Sequence, residues 1–283
     1  MFQNDLLKGK RALITGGGTG LGKNIGRRYA QLGADLVICG RRLEKLEETK
    51  AEFEKETGTT VSIQTCEVRD PEAVESMVAR IWDESPLDIL VNNAAGNFIA
   101  QTHKLSHRAI DAVLGIVLHG TAYCTVACGR RWIDAGRKGS ILNILTTSSL
   151  YGAAFQAPSA MAKAGVASMT RSLAVEWGPK GIRCVGIAPG PFPTVGAGSR
   201  LRPDDLDAFP MERDIPLRRV GEHDELANLA AYLVSDQAEF INGDIIVIDG
   251  GKSLQGTNGA ATQAMQEWDE KKWEAVRGKT QGK

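Results

Sequence analysis

The sequence predicts an α/β fold: a doubly wound, seven-stranded parallel sheet with helices on both faces. Two observations predict it. Seven short apolar runs alternate with polar stretches of helical spacing, the order that builds a parallel sheet with crossover helices. A glycine-rich turn, TGGGTGLG at 15–22, joins the first run to the first helix. In chain order, RALIT (11–15) leads into a helix from about Gly20 to Gly33, and DLVIC (35–39) leads into RRLEKLEETKAEFEKE. VSIQTCEV leads into DPEAVESMVARIWDES, and LDILVNNA leads through a loop into a long helical region from Ser106 to about Ala135. GSILNIL precedes a helix at Ser159–Trp177, IRCVGIAPG precedes a loop and a helix near His223–Val234, and DIIVIDGG is the last strand.

The stretch FPTVGAGSRLRPDDLDAFP is rich in Gly, Pro and polar residues and follows the carboxyl end of a strand. That is the place of a lid over a site. Residues 1–255 therefore read as one domain with a substrate lid at about 191–215, and 256–283 as a polar tail. The tail, with Trp268 and Trp273, is either a packed terminal helix or a subunit contact.

Composition excludes several classes. The chain has 283 residues, and 34 Lys plus Arg balance 34 Asp plus Glu. A zero formal charge gives no electrostatic argument for nucleic acid or an anionic membrane as partner. No apolar run is expected to approach the roughly 18–20 residues of a membrane span. The chain enters a strand almost at once, which leaves no room for a secretory signal. Five scattered cysteines, odd in number and without C-x-x-C, fit a reducing, cytoplasmic compartment. Cys124 and Cys128 share a helix face and read as small apolar packers rather than metal ligands; no metal is expected.

Gly16, Gly20 and Gly22 form G-x-x-x-G-x-G between a strand and a helix. The chain must turn sharply, its backbone must approach a pyrophosphate, and the helix must present free N–H groups to the anion. The second strand ends in CGRR. An acidic residue there would hold the ribose hydroxyls of NAD. Arg41 instead suits a 2′-phosphate, so NADPH is the expected cofactor. Arg42 is either a second such contact or a solvated helix-start residue. Glu67, ending the third strand, either accepts from the adenine amino group or is a solvated strand-end charge.

TGGGTGLG, NNAAG (92–96), PSAMAKAG (158–165), PGP (189–191) and INGDIIVIDGG together resemble the short-chain dehydrogenase/reductase family over about residues 8–251. NNAAGNF, GTAY, PSAMAKAGV, VGAGSRL and ELANLAAYLVSDQAEFING are similar to its 2,4-dienoyl-CoA reductase branch, the mitochondrial type especially. The resemblance implies a Rossmann-like fold, a homotetramer, and NADPH-dependent reduction of a 2,4-dienoyl-CoA to a 3-enoyl-CoA in unsaturated fatty acid metabolism. It places Gly16, Gly18, Thr19, Gly20 and Leu21 in the cofactor loop, Asn93 beside it, Arg41 at the 2′-phosphate and Glu67 in place of an adenine-contacting Asp. Lys163 would hold the nicotinamide ribose. Pro189, Gly190 and Phe192 would surround the nicotinamide, with Thr194 near the carboxamide or phosphates. Asn97 would hydrogen-bond the thioester oxygen, and Arg69, Phe98, Ser106 and Arg200 would contact the acyl-CoA.

The departures matter most. Ketone-reducing members carry a tyrosine four residues before the lysine; here that position is Ser159. Hydride transfer to a ketone leaves an alkoxide, which needs a proton from the phenol. A dienoyl thioester takes hydride at the far end of its conjugated system, and charge collects on the thioester oxygen. That oxygen needs hydrogen-bond donors, not a phenol. Asn97 is the first candidate, or else a turn residue; Ser159 is the second, with an N-cap role beside it or instead. The mitochondrial branch has a tyrosine fifteen residues before the lysine, where this chain has Ser148. Tyr151 either takes over that role or packs in a loop, and Thr146 stands at the usual catalytic serine position of the family. His119 replaces an asparagine that props a water beside the lysine, and is either a proton feeder or a polar residue in a helix kink. A ketone or alcohol oxidoreductase using Tyr151 or His119, and a non-catalytic NADPH-binding sensor, are the competing functions.

Overall fold

The computed structural model describes residues 4–194, 196 and 211–281. Most of the expected lid, including Arg200, lies outside them. Seven parallel strands run in the order β3-β2-β1-β4-β5-β6-β7: β1 Arg11–Thr15, β2 Asp35–Gly40, β3 Val61–Thr65, β4 Ile89–Asn92, β5 Gly139–Ile144, β6 Ile182–Pro189 and β7 Ile245–Ile248. The order reverses between β1 and β4, and a ligand crevice opens at such a switch point above the strands' carboxyl ends.

Alternation along the strands fills two cores. Ala12, Ile14, Leu36, Ile38, Ile89, Val91, Leu142 and Val185 face one side. They meet α1 (Gly20–Gln31), α2 (Leu43–Thr57) and α8 (His223–Val234) through Ile25, Tyr29, Leu46, Phe53 and Leu226. Leu13, Val37, Leu90, Ile141 and Cys184 face the other side, against α3 (Pro71–Glu84), α5 (Gly120–Asp134) and α7 (Ala157–Trp177). All five cysteines are free and buried, Cys124 and Cys128 among the α5 packers, and burial raises their thiol pKa values.

Helix α4 (His107–Leu114) runs into α5 through a π-turn, Gly115–His119. The whole run, His107–Asp134, has mean hydropathy 1.6 over its most apolar window, long and apolar enough to cross a membrane, contrary to the expectation from sequence. Half of that window is buried inside the protein, because the helix packs one face on the sheet. The tail forms α9 (Gly259–Gln266) and α10 (Glu270–Gln281), with the Trp268 and Trp273 rings edge to face at 5.0 Å. Gln255 and Gln263 reach Asp214, at its carbonyl (2.6 Å) and carboxylate (3.3 Å), and Arg218 reaches Gln266 (3.2 Å). The first helix of the tail, α9, is thus tied to residues 214–218 of its own chain.

A buried polar network locks the tops of β4 and β5. Asn92 and Asn143 are register partners. Asn92 Nδ2 donates to Thr125 Oγ1 and to Asn143 Oδ1, both at 2.9 Å, and Asn143 Nδ2 donates to Thr170 Oγ1 at 2.9 Å. Two strands and two helices meet there, directly below the residues that begin the site loops. Replacing Asn143 by Leu leaves the buried Asn92 amide short of an acceptor. It is expected to cost about 1–3 kcal/mol of stability, read from the midpoint of urea unfolding.

Candidate active site

The crevice begins with the turn after β1. Gly16 donates to the Cys39 carbonyl at 2.8 Å and sits at φ 66°, and Gly20 opens α1 at φ 58°. These left-handed positions suit glycine. Thr19 is an extended N-cap whose side chain makes no capping hydrogen bond. The first N–H groups of α1 therefore face the crevice, as an anion site requires. Close approach is enforced: a side chain at Gly22 would begin 2.3 Å from Asn93 Nδ2 and 2.6 Å from the Gly16 carbonyl. Asn93, grouped with the cofactor residues from sequence, is the brace of this loop. Its Nδ2 donates to the carbonyls of Thr15 (2.9 Å) and Gly16 (3.3 Å), and its N–H and that of Ala94 donate to Thr15 Oγ1 at 2.9 and 3.0 Å. Gly18 accepts from the Thr49 hydroxyl at 3.1 Å, and Leu21 packs against the core below.

At the end of β2 the Arg41 side chain is 63% exposed, open to an anionic ligand. Its Nη1 lies 3.8 Å from Glu67 Oε2. That same oxygen accepts from Arg69 Nη2 at 2.6 Å, and this bond lowers the Glu67 pKa against the smaller, opposing effect of burial. Glu67 and Arg69, expected at adenine and at substrate, are thus partners of each other. The Arg69 stem lies along Gly115 of the π-turn.

At the other end, Lys163 is 6% exposed and its Nζ donates to the Ile144 carbonyl at the tip of β5. Burial lowers its pKa to about 8. Ser159, also buried, lies one turn earlier on the same face of α7. The helix begins at Ala157 with Gln156 as N-cap, two residues before the expected start, so Ser159 is not the cap. Its hydroxyl has no hydrogen-bond partner among the described residues.

Two loops are fastened together at the amino end of this helix. Asn97 Nδ2 donates to Gln156 Oε1 at 2.7 Å, and its Oδ1 accepts from the Phe98 N–H at 2.9 Å. Ala100 N–H donates to the Phe155 carbonyl at 2.9 Å. Phe155 sits at φ 62°, a strained value for a bulky residue. Gln156 was not legible as a site residue, since nothing in its spacing sets it apart. A carboxamide has two N–H donors, so Asn97 keeps one beyond its bond to Gln156.

The remaining candidates scatter. Thr146 Oγ1 accepts from the N–H and hydroxyl of Ser148, at 3.4 and 3.3 Å, within the short turn Ser148–Tyr151. Tyr151 ends that turn, 64% exposed. Phe98 packs against Val113, Val117 and Ala162 rather than standing open. Ser106 caps α4, its Oγ accepting from Ala109 N–H at 3.2 Å. His119 is exposed, its ring tilted against Tyr123 with centroids 6.1 Å apart. The helix kink was anticipated there, but the imidazole points along the outer face. Opposite the glycine loop, the Pro189 carbonyl accepts from Thr147 N–H (3.3 Å), and Gly190 donates to Ile248 (2.9 Å). Phe192 covers Gly221, whose side chain would begin 2.3 Å from the ring, and Thr194 faces Gly20.

A bare helix N-terminus, an exposed arginine after the second strand and a buried lysine at the tip of the fifth fit a dinucleotide laid across the strand ends. The relatives agree. A family model described as enoyl-(acyl carrier protein) reductase matches residues 16–253. A probable 2,4-dienoyl-CoA reductase of Caenorhabditis elegans, named as (3E)-enoyl-CoA-producing, is 41% identical over 99% of this chain and 93% of its own length. One of Bacillus subtilis, named as (2E)-enoyl-CoA-producing, is 43% identical over 87% of this chain and 97% of its own. A Beutenbergia cavernae structure described as an NAD(P)-dependent gluconate 5-dehydrogenase, solved with bound NADP, superposes with TM-score 0.83 at 28% identity, covering 89% of this chain and all of that one (100%). The chain belongs to the short-chain dehydrogenase/reductase family of nicotinamide-dependent oxidoreductases, on its 2,4-dienoyl-CoA reductase branch.

Proposed function

We propose that the protein reduces 2,4-dienoyl-CoA to 3-enoyl-CoA with NADPH. One observation carries the reading. The buried Lys163 is kept, the position one turn before it is a buried serine whose hydroxyl has no partner among the described residues, and the Asn97 amide is fastened by Gln156 to the amino end of the same helix. NADPH, when bound, supplies the hydride. The N–H groups of α1 hold its pyrophosphate, Arg41 its 2′-phosphate, and Lys163 the ribose beside the nicotinamide. As hydride arrives at the far end of the diene, charge moves to the thioester oxygen. The free N–H of Asn97 and the Ser159 hydroxyl donate to that oxygen. The substrate chain then takes its proton at the carbon next to the thioester. Arg69 and Phe98 belong to the acyl-CoA side of the cleft, and Thr146 and Tyr151 edge it. A ketone reductase would instead need a phenol beside Lys163, whereas Tyr151 is turned largely to solvent. The exposed Val126 and Val175, on α5 and α7, support a homotetramer associated through those helices. Free, buried cysteines suit a reducing compartment such as the cytoplasm.

Incubation with NADPH and a 2,4-dienoyl-CoA should consume both absorbance bands, and NMR of the product should show a 3-enoyl thioester. Turnover of ketones alone, or cofactor binding without turnover, would overturn the reading. Asn97→Ala and Lys163→Ala should each lower kcat by about 10²-fold or more. Arg41→Ala should weaken NADPH by about tenfold and leave NADH binding unchanged, as measured by cofactor fluorescence. Burial disfavours the charged form of Lys163 and lowers its pKa to about 8, so the lysine is cationic below that value and neutral above. kcat/KM should therefore fall as pH rises through that value, and the limb should move upward in Lys163→Arg if activity persists.

A further inference from the structure

We infer that His223 is a positioning residue for the cofactor, tying the segment after β6 to the glycine loop. The inference rests on the nicotinamide reading above. The imidazole bridges elements far apart in sequence: Nε2 lies 2.8 Å from the Pro193 carbonyl, and Nδ1 lies 3.1 Å from Asn24 Nδ2. Asn24 stands in the first turn of α1, where its Nδ2 also donates to the Gly20 carbonyl at 2.8 Å. Its Oδ1 accepts from Arg27 Nη1 at 3.2 Å.

These contacts admit one arrangement of protons. A guanidinium only donates, so the Asn24 oxygen faces Arg27 and its NH₂ faces the imidazole. That NH₂ only donates, so Nδ1 of His223 presents its lone pair. The Pro193 carbonyl only accepts, so Nε2 carries the proton. The ring is a neutral imidazole with both nitrogens used, one on each wall of the cleft. The next residue, Thr194, comes within 3.6 Å of where a side chain on Gly20 would begin. The bridge thus lies where the two walls approach each other, beside the turn that receives the pyrophosphate. Helix α8 does not need it: Glu222 and Glu225 already form a capping box at that terminus. A residue with both nitrogens engaged across a cleft, and no duty in its own helix, acts on the distance between the walls.

The test is NADPH affinity of the full-length protein, followed by fluorescence titration. His223→Ala should raise the NADPH Kd about tenfold, the effect of two lost hydrogen bonds. Its KM for NADPH should rise more than its kcat falls. His223→Gln, whose carboxamide donates to Pro193 and accepts from Asn24, should return Kd to within about threefold of wild type. Adding Asn24→Ala to His223→Ala should cost much less than it does alone. An unchanged Kd in His223→Ala, or full additivity with Asn24→Ala, overturns the inference while the wild type still binds NADPH. A wild-type protein that bound neither NADPH nor NADH would overturn the cofactor reading and this inference together.

Discussion

A lysine ammonium held in the interior against the end of a strand is the constraint around which the rest is arranged. Burying such a charge is costly, and its pKa falls accordingly. The Ile144 carbonyl receives one of its three protons. The other two have no partner among the described residues, and in the proposed function they meet acceptors on the cofactor ribose. For the ammonium to meet that carbonyl, β5 and α7 must keep a fixed relation. The Asn92–Asn143–Thr170 network supplies it, because each amide in it loses a partner if either element shifts.

The loss of the phenol changes what the neighbouring loops must do. In a carbonyl reductase the acid rides on α7 and is placed by the helix itself. Here Asn97, the donor we propose, sits on a loop after β4, and a loop does not hold a side chain to the tolerance that oxyanion stabilisation needs. The bonds Asn97–Gln156 and Ala100–Phe155 remedy this by fastening that loop to the one that enters α7. The strained backbone of Phe155 is part of the same fastening, since its carbonyl is aimed at Ala100 from a left-handed conformation. The cofactor side shows the same economy: Asn93 braces the glycine loop, and Glu67 orders two arginines at once.

Much of this was legible residue by residue. Strand runs with buried alternation, glycines at forced turns and the lysine one turn after Ser159 carry local signals, and each fell within a few residues of its expected place. The helix around Lys163 began two residues early because Pro158 suits a first turn and Gln156 takes the cap, so Ser159 was freed from capping. The apolar stretch running from α4 into α5 was underestimated because it is assembled across two helices and a turn, where residues 112–129 carry no Asp, Glu, Lys or Arg. His119 and Ser106 carry site-like residue types, and the structure gives one an exposed place beside Tyr123 and the other a capping bond at α4.

The sequence by itself determined the sheet, its switch point, the bare helix terminus for a phosphate and the absence of a phenol beside Lys163. These depend on neighbours in the chain, whose spacing is fixed by helix and strand geometry. Only the tertiary structure decided which polar side chains face one another: Asn97 with Gln156, Asn92 with Thr125, Asn24 with His223. Such pairs join residues dozens to nearly two hundred positions apart. A hydrogen bond reaches about 3 Å, so its partners are chosen by how whole elements pack and leave no periodicity in the chain to read.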